Sequence, residues 1–309
     1  VRDSAVLVNE LVAKGHVTVE VLCGAKVEGA VSVDGGEAAN RGAVYEARGV
    51  GVVGVHVHRV HHERTRRQAV VVVLNAIAVA LVSRDRRVVN VVDGDEVVDA
   101  IDAAGGEATF VSCDVSDEGS VEAAVQHAVE TFGGLHTLYN NAGVMLSDDD
   151  GPTNTSVDVY QKTMDINVKG TLLGCRYAIP AMLASGGGSI VNVASFVAHM
   201  GAATPQVAYT ASKGAVLAMT REIAVIYARQ GIRANSLCPG PIMTPMLAKF
   251  LSDDAKRNRR LVHIPMGRFG DPIEIANGAL FLASDESSWM TGQSLIIDGG
   301  ITAAYVTPE

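Results

Sequence analysis

The chain has 309 residues, enough for one large α/β domain or two small ones, and its 48% apolar content supports a sizeable core. A net charge of −9 argues against nucleic acid as a partner. The longest apolar run, Ala69 to Val82, is broken by Asn75 and too short to span a bilayer, and the four cysteines (Cys23, Cys113, Cys175, Cys238) form no paired motif, so we expect a soluble cytoplasmic protein with reduced thiols.

Residues 1–68 have poor periodicity and read as an atypical N-terminal segment. The run His56-Val-His58-Arg-Val-His61-His62 suggests a metal site, but Arg59, Arg64, Arg66 and Arg67 would repel a cation, so a surface segment is expected there and no metal. Gly49-Val-Gly51-Val-Val-Gly54 matches a dinucleotide glycine pattern, a weak signal in a glycine-rich chain. From about residue 69 to 309 the pattern becomes orderly. Ala76 to Ser83 reads as a helix, and Arg87 to Asp93 as a buried strand ending in an acid. Asp95 to Ala104 is a helix ended by Gly105-Gly106, and Ala108 to Cys113 a strand. Ser116 is the expected cap of a helix running to Phe132. Thr137-Leu-Tyr139 is a short strand, and a long helix covers about Ser156 to Leu183. Ser189 to Val193, Arg233 to Cys238 and Ser294 to Ile297 read as strands, and Pro272 to Ala283 as a helix with proline in its first turn. Strands alternating with helices predict a Rossmann-like, doubly wound parallel sheet in a single domain, with ligands at the carboxyl ends of the strands.

Gln206 to Met219 reads as a helix that carries Tyr209 and Lys213 four residues apart, on one face. A phenol ionises near pH ~10. A nearby ammonium favours the phenolate, which makes the pair a candidate general acid/base. Alone, this spacing is weak. Asp93, Asp114, Asn141-Ala142-Gly143, Ser195 and Pro239-Gly240 all directly follow predicted strands, however, and so converge on the same crevice.

These residues resemble the classical short-chain dehydrogenase/reductase family over about Ala76 to Gly300. The resemblance rests on Asp114-Val115, Asn140-Asn141-Ala142-Gly143-Val144, Asn167-Val168 with Gly170, Ser195, Tyr209-Thr-Ala-Ser-Lys213, Pro239-Gly240 with Thr244, and Asp298-Gly299-Gly300. It implies an NAD(P)-dependent oxidoreductase that interconverts a secondary alcohol and a ketone. By the same resemblance, Tyr209 is the acid/base and Lys213 lowers its pKa and holds the nicotinamide ribose. Ser195 binds the substrate oxygen, and Asn167 holds a relay water. Asp114 and Val115 are implied at the adenine, and Asn141, Ala142, Gly143, Pro239, Gly240, Ile242 and Thr244 along the cofactor, which leaves Met243 to about Arg260 as a mobile substrate lid. Asp93 is implied to read the adenosine ribose and so to favour NAD over NADP. A homotetramer is implied, with apolar contact from Ala181-Met182-Leu183, Phe281-Leu282-Ala283, Trp289 and Met290.

One family feature is missing. The glycine-rich turn should lie ~20 residues before Asp93, on Arg66 to Val73, where there is no glycine. An altered reading frame, an unusual cofactor loop, or loss of catalysis with retention of the fold would each account for this; the abrupt change in composition favours the first. The alternative function is therefore a non-catalytic nucleotide-binding or scaffold protein. Epimerase or dehydratase chemistry on a nucleotide sugar is a third option, which the Asp298-Gly299-Gly300 ending fits less well.

Overall fold

The computed structural model describes residues 18–22, 71–74, 81–82, 88–89, 94–103, 107–202, 204–243, 247, 251 and 253–303. Their strands are β1 (Thr18–Leu22), β2 (Val71–Leu74), β3 (Leu81–Val82), β4 (Val88–Val89), β5 (Glu107–Val111), β6 (Thr137–Asn140), β7 (Gly188–Val193), β8 (Ile232–Pro239) and β9 (Ser294–Ile297). Seven form one parallel sheet in the order β5-β1-β2-β6-β7-β8-β9. Strands β6, β7 and β8 are buried along most of their length, as a parallel sheet covered on both faces requires. In β7, Ile190 joins one core cluster and its neighbour Val191 another, because successive side chains alternate across the sheet.

The helices are α1 (Gly94–Ala103), α2 (Glu118–Phe132), α3 (Val157–Met164), α4 (Gly170–Ala184), α5 (Val207–Tyr227), α6 (Asp254–Leu261) and α7 (Pro272–Ala283). The five residues Asp165–Lys169 between α3 and α4 form a π-turn, so the expected long helix is continuous but locally widened. Helices α2 and α4 pack together, α5 lies on β8, and α7 covers β7, β8 and β9. The order of strands reverses between β2 and β6, so the crevice lies at their carboxyl ends. Among the described residues no helix is long and apolar enough to cross a membrane.

Four expectations need correction. The predicted helix from Ala76 to Ser83 contains the strand β3, which pairs antiparallel with β4 in a separate two-stranded sheet. The strand expected at 87–93 is reduced, among the described residues, to β4. The place beside β2 belongs instead to β1, whose residues pair with both β2 and β5. The cap of α2 is Asp117, not Ser116. Asp117 accepts from Ser120 N, while Ser116 N and Oγ are drawn to Asp114 Oδ1 at 2.8 and 2.7 Å. Finally, the charged run 253–260, expected within a loop, is largely helical as α6, and Leu261 anchors it to an apolar cluster containing Phe196 and Leu251. The histidine run, Cys23 and the Gly49-Gly51-Gly54 pattern lie outside the described residues.

Candidate active site

Helix α5 carries Tyr209 and Lys213 into the crevice. Its first apolar turns are buried against the sheet, with Ala208, Ser212 and Val216 inside. Lys213 is almost fully buried, and its Nζ lies 5.7 Å from the centre of the Tyr209 ring. Nζ donates to the carbonyl of Val193, the last residue of β7, at 2.8 Å. Burial pushes the Lys213 pKa down to about 8, with Cys238 pulling weakly the other way.

Ser195 follows β7 by two residues and opens a short 3₁₀ turn over Phe196–Ala198. The spacing of Lys213 from Tyr209 predicts a lowered Tyr209 pKa. In the fold, burial dominates and raises it, while a hydrogen bond from Ser195 lowers it in part. The reason is that desolvation disfavours both charged forms, the phenolate and the ammonium.

Asn167 sits fully buried in the π-turn. Its Oδ1 accepts from Val144 N at 2.8 Å, and its Nδ2 donates to Val144 O and to Ser212 Oγ, each at 2.9 Å. The side chain thus clamps the turn after β6 onto α5. Gly143 lies inside that clamp: a Cβ there would come within 3.1 Å of Lys213 Nζ and 3.4 Å of Asn167 Oδ1. Glycine keeps the space beside the ammonium open.

The remaining candidates are more scattered. Asn141 directly follows β6, and Ala142 is a core residue. Asp114 is exposed, with its carboxylate held by Ser116. Val115 is buried in the core with its side chain against Gly170. Pro239 ends β8, and Gly240 N donates to Ile297 O at 2.8 Å. Ile242 bridges to Gly270, on the rim of a small cavity shared with Gly240, Met266 and Asp298. Asp93 and Thr244 lie outside the described residues. The structure therefore brings Asn167, Ser195, Tyr209, Lys213 and Gly143 together.

The sequence reading did not identify Asp149, whose carboxylate caps α5, or Ser212, which bridges Asn167 to α5. Ser212 had one available signal, its position three residues after Tyr209 on the same helical face. Cys238 Sγ, 3.6 Å from His199 Nε2, lies close under the Ser195 turn.

A buried lysine thus lies one helical turn from a tyrosine, at the carboxyl ends of a doubly wound sheet. Residues 75–302 match the family model described as enoyl-(acyl carrier protein) reductase. The chain is 43% identical over 194 residues to 2-(R)-hydroxypropyl-CoM dehydrogenase of Xanthobacter autotrophicus, covering 62% of this chain and 77% of that protein. It is 37% identical over 215 residues to cyclohexanol dehydrogenase of an Acinetobacter species, covering 70% and 83%. The solved structure of levodione reductase superposes with a TM-score of 0.63 at 34% identity, over 70% of this chain and 86% of that one. The chain belongs to the short-chain dehydrogenase/reductase family and is an oxidoreductase of that family.

Proposed function

We propose that the protein interconverts a secondary alcohol and a ketone with a nicotinamide dinucleotide, preferring NAD, and that Tyr209 is its acid/base. The observation that carries this is the convergence of Tyr209, Lys213, Ser195 and Asn167 around the space kept open at Gly143. The names of the relatives, a hydroxypropyl-CoM dehydrogenase and a cyclohexanol dehydrogenase, support a carbinol substrate.

The described residues suit the nicotinamide end of the cofactor. Lys213 Nζ uses one of its three donors on Val193 O, and the space beside it faces Gly143. Lys213 would hold the ribose hydroxyls there, and Ile242 and Thr244 would flank the carboxamide. When bound, the nicotinamide supplies the hydride acceptor or donor. The pyrophosphate end would lie after β2, at residues outside the described set, and the sequence contains no glycine from Val55 to Asp93. That absence favours a second reading, a nucleotide-binding member without turnover.

In the oxidative direction the Tyr209 phenolate takes the proton of the substrate hydroxyl, and Ser195 Oγ hydrogen-bonds the same oxygen. In reduction the Tyr209 hydroxyl donates that proton back to the oxygen. The Lys213 ammonium, 5.7 Å from the ring centre, would stabilise the phenolate. Asn167 holds the main chain of Val144 and, with Ser212, a route by which a relay water reaches the lysine. Oxidation should therefore speed up with rising pH, because it needs the Tyr209 phenolate and burial raises the pKa at which that forms.

Asp93 is the residue before Gly94, where α1 begins, and α1 packs on β1 and β5. A Cβ on Gly94 would collide with the Phe110 ring, so the helix start is held close to the sheet. A carboxylate at position 93 would accept from both adenosine ribose hydroxyls and repel a 2′-phosphate. The test is kcat/KM for cyclohexanol with NAD and with NADP, in the wild type and in Asp93→Ala. We expect NAD to be preferred about tenfold or more, and the ratio to collapse in the variant. A preference for NADP, or an unchanged ratio, contradicts the role of Asp93. Cofactor binding without turnover across a panel of secondary alcohols would select the second reading.

A homotetramer is proposed on the exposed apolar residues. Trp289 and Phe281 face outward, as do Leu172 on α4 and Val225 and Ile226 on α5. Met182 and Leu282, named in the sequence reading as contact residues, are fully buried in the core and cannot serve. Light scattering at micromolar concentration should give the mass of four chains; a monomer mass contradicts the proposal.

A further inference from the structure

Helix α5 begins without a cap of its own: Gln206 at the N-cap makes no side-chain capping bond. Its first N–H groups are instead taken by a loop from after β6, about sixty residues earlier in the chain. Val207 N donates to Asp150 O at 3.0 Å, Ala208 N to Asp149 Oδ1 at 3.0 Å, and Tyr209 N to Asp149 Oδ2 at 2.8 Å. The first bond within the helix is Thr210 N to Gln206 O. Asp149 is buried, and both of its oxygens are engaged.

The loop carrying this carboxylate is itself fixed. Asp150 Oδ1 accepts from Gly151 N at 2.7 Å, Asp150 Oδ2 from Asn154 Nδ2 at 3.1 Å, and Asp150 N donates to Thr155 Oγ1 at 2.8 Å. Upstream, the same segment is clamped at Val144 by Asn167. Asn167 in turn donates to Ser212 Oγ, and Ser212 Oγ donates to Tyr209 O at 2.7 Å. The N–H of Tyr209 is thus held by Asp149 and its C=O by Ser212, and the two holds meet through Asn167.

We propose that Asp149 is a positioning residue that seats the Tyr209 ring for proton transfer. It acts through the main chain of Tyr209 and touches neither substrate nor cofactor. An ordinary helix cap would stabilise the fold and no more. This carboxylate holds the main-chain N–H of the very residue whose hydroxyl must meet the reacting oxygen, and a displacement of ~1 Å can cost up to about 10²-fold in rate. The inference rests on Tyr209 being the acid/base, so its test includes a signal independent of turnover.

The variants are Asp149→Ala, Asp149→Asn and, as a control, Ser185→Ala. Ser185 Oγ accepts from Leu135 N at 2.9 Å at the opposite end of the sheet. With cyclohexanol and NAD, Asp149→Ala should lower kcat by about 10- to 100-fold while KM stays within about twofold. Asp149→Asn keeps one acceptor oxygen and should restore part of the loss. In ring-labelled tyrosine spectra without cofactor, the Tyr209 signal, identified by its absence in Tyr209→Phe, should shift in both Asp149 variants. Ser185→Ala should lower Tm and leave both kcat and that signal in place. If Asp149→Ala does not fold, Asp149→Asn decides by the same two readouts. A kcat within about twofold of the wild type, or an unmoved Tyr209 signal, overturns the proposal. If the wild type turns over no alcohol, the functional reading fails, and the Tyr209 signal alone still decides the role of Asp149.

Discussion

Tyr209→Phe should lower kcat by about 10²- to 10⁴-fold in both directions, the range that a positioned general acid or base supplies. The ring still fills its place on α5, and Asp149 and Ser212 still hold the main chain at 209. Tm should therefore change little. KM for the alcohol should rise only modestly, because the contact proposed between Ser195 and the substrate oxygen is untouched. Steady-state kinetics with cyclohexanol or a ketone partner, alongside a thermal melt, provide the check. A variant with near-normal kcat would remove Tyr209 from the proton path.

Lys213→Met separates function from stability. Activity should fall by about 10²-fold or more, because the phenolate loses the only cation found beside it among the described residues, and the ribose loses its donor. Stability at pH 7 should rise. In the fold the Lys213 pKa is pushed down to about 8 from its ordinary 10.5. Between those values the unfolded chain binds the proton and the folded chain does not, so wild-type stability rises with pH across that window. Below about pH 8 the folded protein carries a buried ammonium whose desolvation opposes folding. Methionine fills similar space without the charge, so the variant should have a higher Tm at neutral pH and no rise between pH 8 and 10 from this site. A lower Tm at pH 7 would mean that the bond to Val193 O outweighs the cost of burial.

The sequence revealed most of the sheet and the centre of the site, for definable reasons. Strands β6 and β7 are short runs that are buried along most of their length, and β8 and β9 are bounded by turn residues, so their limits are marked in the sequence. Tyr209 and Lys213 are legible because four residues on a helix is a local relation. Asp149 was not, because its partners lie about sixty residues away and no local pattern marks a carboxylate that caps a distant helix. Helix α6 was missed because it buries little beyond Leu261, so it has no apolar stripe to read. The balance of charges at Tyr209 was missed because burial, which raises its pKa, is a property of the fold and not of the spacing. The strand β1 came from a segment without clear periodicity, and its alternation over Thr18–Leu22 is too short to separate from chance.

The proposed reaction couples hydride transfer between the carbinol carbon and the nicotinamide to proton transfer at Tyr209. Its most direct measurement uses cyclohexanol deuterated at the carbinol carbon, incubated with the protein and NAD, with the nicotinamide then analysed for deuterium. The wild type should transfer that deuterium to the nicotinamide ring, and Tyr209→Phe almost none under the same conditions. Equal incorporation by both proteins, or none by the wild type with any secondary alcohol while the cofactor is bound, would contradict it.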